Sequence, residues 1–124
     1  MRELKFRAWD IKREEIIYVN GLQFNNDGLK QVRLYRGAYQ IRMAKNIVLM
    51  QYTGLKDKNE KEIYEGDIVK NDNDYIVRFD EDYLNLGFAF ILEPPRGGEA
   101  IALKTIWSLE VIGNIYENPE LITK

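Results

Sequence analysis

The sequence predicts a mainly β protein: an N-terminal β-meander, then a small β-barrel, with one short helical turn at the end. Three observations predict it. Short segments rich in Val, Ile, Tyr and Phe alternate with polar residues at a period of two. Clusters of Asn, Asp, Gly and Pro separate them at near-regular spacing. Near the C-terminus, Asn118-Pro119-Glu120 puts an N-cap residue, a first-turn proline and a first-turn acid in order, which starts a helical turn.

The elements follow in order. Leu4, Phe6 and Ala8 alternate with Lys5 and Arg7, so the three apolar residues share one strand face. Ile11 to Glu14 is a polar turn, and Ile16 to Val19 is the return strand. Asn20-Gly21 and Asn25-Asn26-Asp27-Gly28 are turn signals. Residues 29–45 read as two strands bent at Gly37 or as a short helix ending there. The alternation of Val32 with Leu34, and of Tyr39, Ile41 and Met43, favours strands. Ile47-Val48-Leu49-Met50 is a continuous apolar run, the mark of a buried central strand.

The run TGLKDKNEKEIYEGDIV, from Thr53 to Val69, raises a choice between a metal loop and a hairpin. A calcium loop beginning at Asp57 would put Lys61 at its fifth position, Glu62 at its sixth and Ile68 at its twelfth. A cation, a bulky residue and an apolar residue then stand where a ligand, a glycine and a bidentate glutamate are needed. The hairpin fits better. Leu55-Lys56-Asp57 is one arm, Lys61 to Tyr64 is the other, and Asp57 to Glu60 is the tip. Glu60 is the odd residue there, since a left-handed tip favours glycine.

Further strands are predicted at Ile68-Val69, Tyr75 to Phe79, Phe88 to Leu92, Ile101 to Leu103, Ile106-Trp107 and Val111-Ile112. Turns fall at Asn71 to Asp74, Asn85 to Gly87 and Pro94 to Gly98. The chain divides into an N-terminal β segment, 1–48, and a barrel, 49–124, which are expected to form one compact unit.

Composition narrows the chemistry. The chain has 124 residues, 45% of them apolar, with no cysteine and no histidine. This excludes a disulfide framework, removes the usual zinc ligands, and leaves no thiolate or imidazole for catalysis near neutral pH. MRELKFRAWDIKREE has no apolar h-region, and no run approaches the ~20 apolar residues of a membrane span. The expectation is a cytoplasmic protein with no membrane contact and no cofactor.

Charge is uneven. Residues 1–56 carry 11 Lys and Arg against 5 Asp and Glu, while residues 57–124 carry 7 against 15. The halves therefore stand at +6 and −8, and their sum is the net −2 of the chain. Either the two halves neutralise each other on packing, or one face is positive and recruits an anionic partner.

Candidate sites are few. Asp72 with Asp74, and Asp80-Glu81-Asp82, are carboxylate clusters able in principle to bind a cation, but both fall in predicted turns where acids are ordinary. Ser108 has only Lys104 nearby as a base, in a segment that reads as a strand. Pro94-Pro95-Arg96-Gly97-Gly98-Glu99 lacks the Lys-Ser/Thr of a phosphate loop. The remaining candidate is basic and aromatic: Lys30, Arg33, Tyr35, Arg36, Tyr39, Arg42 and Lys45, with no acid between Gly28 and Lys45. Arg and Lys suit phosphates, and Tyr suits unpaired bases.

Several motifs carry a resemblance. Leu49 to Asn59, with its continuation Lys61 to Val69, resembles the signature of the YopX family, as do Phe6-Arg7-Ala8-Trp9-Asp10 and Val111 to Leu121. Residues about 22–46 match least well, and Glu60 stands where the family usually has glycine. The resemblance implies a β-rich fold with an SH3-like C-terminal barrel, phage or prophage origin, and self-association. The Gly66-Asp67 turn into Ile68-Val69 is a weak signal of the same barrel. The family supplies no catalytic residues to carry over. The expected function is a non-enzymatic binding or assembly module whose partner is itself or another protein. The alternative is nucleic-acid binding through residues 30–45.

Overall fold

The computed structural model describes residues 4–81, 89–103 and 108–123. It is mainly β, with antiparallel strands joined by turns and short 3-10 segments. Among the described residues, no helix is long and apolar enough to cross a membrane. The chain divides into two compact units, Met1–Tyr52 and Thr53–Lys124.

The first unit holds β1 (Phe6–Asp10), β2 (Glu15–Val19), β3 (Gly21–Asn25), β4 (Gly28–Tyr35) and β5 (Tyr39–Met43). A 3-10 turn at Ala44–Asn46 leads into β6 (Ile47–Lys56), whose last residues belong to the second unit. β1 lies between β2 and β6, so Ala8 stands opposite Ile17 on one side and Leu49 on the other. β3, β4 and β5 form a separate sheet in chain order. Ala8, Ile17 and Ile47 of the first sheet pack with Val32 and Leu34 of the second to make the core.

Two expectations change here. Asn20-Gly21 closes no hairpin. It is the step by which the chain leaves one sheet for the other, and Asn20 N–H donates to the Arg33 carbonyl at 2.8 Å. The alternation that puts Ala8 and Asp10 on one side of β1 puts Arg7 on the other, yet Arg7 is buried too, so both sides of this middle strand are covered there. Segment 29–45 forms two strands and no helix, turning at Gly37 with φ +73°.

Asp10 ends β1 with its side chain fully buried. Its Oδ1 accepts the backbone N–H groups of Lys12 and Arg13, both at 3.1 Å. Its Oδ2 accepts Arg42 Nε at 2.8 Å and Arg13 Nη1 at 3.3 Å. Burial pushes the carboxyl pKa up. The Arg13 backbone N–H and the Arg42 and Arg13 guanidinium groups outweigh it, so the pKa lies below its usual value.

In the second unit the end of β6 turns back into β7 (Glu62–Tyr64). β8 (Asp67–Lys70), β9 (Asp74–Asp80) and β10 (Ala89–Glu93) then run as a meander to β11 (Ile101–Ala102). β12 (Glu110–Asn114) returns beside β8, giving the order β11-β10-β9-β8-β12. Val69, Val77, Leu92, Leu103 and Leu109 form its core with Ile63. The strand predicted at Ile106-Trp107 and the turn at Asn85 to Gly87 lie outside the described residues.

The hairpin tip is held by Asp57, which is buried. Its Oδ1 accepts the N–H groups of Asn59 at 2.8 Å and Lys61 at 2.9 Å, and its Oδ2 accepts Val111 N–H on β12 at 2.9 Å. The carboxylate that suggested a metal ligand serves as a backbone acceptor instead. Burial pushes its pKa up, but the N–H groups of Val111, Lys61 and Asn59 bring it below the usual range. Glu60 follows with φ +66°, the left-handed geometry expected at this tip.

The C-terminal motif closes on itself. Asn114 Oδ1 accepts the N–H groups of Tyr116 and Glu117, at 3.0 and 2.8 Å. Asn118 precedes the 3-10 turn Pro119–Leu121 as predicted but does not cap it. Its Oδ1 instead accepts Asn114 N–H at 3.1 Å. A Cβ at position 113 would stand 2.5 Å from that oxygen, so a larger residue there would have to displace the Asn118 side chain and its bond to Asn114.

Three outcomes are expected. Glu60→Gly relieves left-handed strain of about 1–2 kcal/mol and loosens the unfolded chain by somewhat less. Differential scanning calorimetry should show Tm raised by about 2–5 °C, and a lower Tm would contradict this tip geometry. Asp57→Asn puts an amide where three N–H groups need acceptors and should cost about 1–3 kcal/mol at pH 7. A carboxyl with a depressed folded pKa stabilises above its unfolded pKa of about 3.9, and that stability is lost as pH falls through the folded value. The gap between wild type and Asp57→Asn should therefore narrow in urea titrations below about pH 4. Asp10→Ala leaves the Arg42 cation buried and should cost about 3–5 kcal/mol, whereas the double change Asp10→Ala with Arg42→Met should recover part of that loss.

Candidate binding face on the three-stranded sheet

The pleat of β4 and β5 sorts residues 30–45 onto two sides. Gln31 stands opposite Met43, Arg33 opposite Ile41, and Tyr35 opposite Tyr39. These six share the face turned away from the core residues Val32 and Leu34. Across β3, Gly21 pairs with Arg33 and Gln23 with Gln31.

The sequence grouped seven residues, and the structure separates them. Arg33 and the two tyrosines lie together on the outer face. The Arg33 guanidinium carbon is 5.1 Å from the centroid of the Tyr39 ring, and Tyr39 meets Tyr35 edge-to-face at 5.1 Å. The two rings remain 68% and 59% exposed. Lys30 is exposed at a β-bulge, where the register steps from Gln23–Gln31 to Phe24–Leu29. Lys45 is exposed in the turn after β5.

Arg36 and Arg42 do not join them. Arg36 sits in the β4–β5 turn, and its Nη1 donates to Glu15 Oε1 at 2.7 Å. Arg42 is buried on the other face against Asp10, and its remaining nitrogens donate to the Ile41 carbonyl and to Gln40 Oε1, at 3.2 and 3.0 Å. An ionised partner already holds each of these arginines.

The face also contains residues that the linear reading passed over. Gln23, Gln31 and Ile41 border a hollow of about 230 Å³ with Arg33, and Gly21 opens its side. A Cβ at Gly21 would come within 3.2 Å of Arg33 Nε, so a bare backbone makes room for the guanidinium. Ile41 and Met43 are 52% and 39% exposed. Period-two alternation from Tyr39 was the signal for Ile41 and Met43. Gly21 was marked only as a turn residue and Gln23 not at all; both reach the face by pairing of β3 with β4.

The other candidates are dispersed. Among the described residues, no group of three Asp and Glu is placed to hold a metal ion. Asp82, Lys104 and Thr105 lie outside those residues. Ser108 is exposed at φ +63° and is not part of a strand. Thr53 Oγ1 donates to the Ile63 carbonyl at 2.7 Å and accepts Leu55 N–H, which braces the start of the hairpin. A larger hollow of about 470 Å³ in the second unit gathers Lys70 with Asp72, Asp74 and Tyr75, mixing both signs of charge.

Comparison with known proteins places the chain. No functionally curated protein matches it. The crystal structure of protein EF1440 from Enterococcus faecalis is similar, with 26% identity and a TM-score of 0.68, covering 99% of this chain and 100% of that one. The crystal structure of protein yopX from Bacillus subtilis matches with 22% identity and a TM-score of 0.64, covering 99% of this chain and 100% of that one, a likeness of fold. The family model described as YopX protein matches residues 5–123. With its two end motifs and its central hairpin all inside that match, the chain belongs to the YopX protein family.

Proposed function

We propose that this protein is a non-enzymatic assembly module of phage or prophage origin, acting in the bacterial cytoplasm and associating with copies of itself. The observation that carries this reading is the division of charge between the compact units. Residues 1–52 carry 10 Lys and Arg against 5 Asp and Glu, and residues 53–124 carry 8 against 15. The units stand at +5 and −7, which sum to the net −2. The positive unit of one chain attracts the acidic unit of the next, and such a head-to-tail contact closes into a ring when its rotation permits.

The second unit serves as an SH3-like barrel in this reading. Its strand order supports that: four strands run as a meander and the fifth returns beside the first. Catalysis has no part in it. Asp10 and Asp57, the carboxyls with displaced pKa values, accept structural hydrogen bonds, which supports this reading. No cofactor and no membrane are required.

Sedimentation velocity at about 20 mM and 500 mM salt tests the assembly. A complex larger than a monomer at low salt, dissociating as salt screens charge, is the expected result. A monomeric mass at low salt removes the proposal.

A further inference from the structure

We propose that the outer face of the β3-β4-β5 sheet binds single-stranded nucleic acid. This rests on the face itself and is independent of self-assembly.

The first argument is sign. Between Asp27 and Asp57 the chain has no acid, so the strands β4 and β5 contribute no negative charge to the face. Its central cation is Arg33. That guanidinium makes no hydrogen bond or ion pair among the described residues, and its position over the Tyr39 ring fixes its direction. Arg36 and Arg42 are already neutralised, which leaves Arg33 as the available arginine of the face. Five unused N–H donors on a partly fixed plane suit a phosphate.

The second argument is stacking. Tyr35 and Tyr39 are more than half exposed and adjacent. Exposed aromatic rings beside a cation offer π surfaces to unpaired bases, and every base has a π face. A duplex hides those faces, so the preference is for single strands.

The third argument is layout. Three rows follow one another along the strands: Tyr35 with Tyr39, Arg33 with Ile41, and Gln31 with Met43. Each row is about 6.6 Å from the next. Lys30, directly before Gln31, and Lys45, two residues after Met43, follow at the far end. In the hollow, Gln23 and Gln31 offer both donors and acceptors to a base edge, and Gly21 leaves room for it. An apolar protein segment would use Ile41 and Met43 but would leave the amides and Arg33 without partners.

The test is fluorescence anisotropy of labelled oligo-dT and oligo-rU of about twelve nucleotides, with a duplex of equal length, on the full chain. Single strands are expected to bind with Kd between about 10⁻⁶ and 10⁻⁴ M. Three phosphate contacts predict a log–log salt slope of about −2. Tyr39→Ala should weaken binding by at least about fivefold, and Tyr35→Ala should do the same independently. Arg33→Gln should weaken binding and reduce the slope by about 0.7. All three residues are exposed, and unchanged circular-dichroism melting would show that the fold is intact. No binding at about 100 µM protein overturns the proposal. Equal binding of the duplex, tyrosine variants that bind like wild type, or equal competition by polyglutamate also overturns it. The last result would assign the face to an acidic protein.

Discussion

The buried pair of Asp10 and Arg42 is coupled to what the first unit shows to its surroundings. Arg42 lies on β5 between Ile41 and Met43, and the pleat puts it on the opposite side from both. Drawing the guanidinium inward to the carboxylate therefore turns Tyr39, Ile41 and Met43 outward. The opposite arrangement would bury three large side chains, worth about 1.5–3 kcal/mol each when burial is complete. It would also leave Asp10, which has no solvent exposure, as an unpaired charge at a cost of about 3–5 kcal/mol. Summed, the three burials come to about 4.5–9 kcal/mol, which reaches or exceeds the charge term, so the ion pair alone does not set the orientation of β5. The hydrogen bonds that Arg42 makes to Gln40 and Ile41 add to the observed side. The exposed face and the buried ion pair are thus the two sides of one strand, fixed together by its pleat.

Asp57 does comparable work in the second unit. It fastens a tight hairpin to β12 through Val111, a contact across 54 residues of chain. Loop closure over that distance is unfavourable in entropy, and a charged acceptor for three N–H groups offsets it. Both carboxylates sit where the backbone leaves a strand, and each accepts backbone N–H groups of the turn that follows. This accounts for Asp10 in the FRAWD motif and for Asp57 in the hairpin motif in terms of folding. Gly113 and Asn118 do the same for the C-terminal motif, where the bare backbone at 113 leaves room for the Asn118 side chain to reach Asn114. The motifs that mark the family are accordingly structural joints. The proposed binding face lies outside these motifs, on β3, β4 and β5.

The strands and turns were legible because both follow local rules. Alternation at a period of two located β1, β4 and β5, and a run of β-forming residues located β2. The left-handed backbone at Glu60 and the bend at Gly37 followed from turn chemistry. The misjudged features share one cause, which is that they depend on neighbours distant in sequence. Arg42 read as a solvent-facing cation because Asp10, its partner, is 32 residues away. Arg36 meets Glu15 across 21 residues, so an acid-free stretch is not a free positive stretch. Gly21 and Gln23 reach the face only through the pairing of β3 with β4. Covalent order and side-chain chemistry specify the local backbone, the period and the composition of each strand. Which side of a strand is buried, and which charges are already neutralised, follow from the pairing and packing of remote segments, because burial and Coulomb energy depend on distance in space.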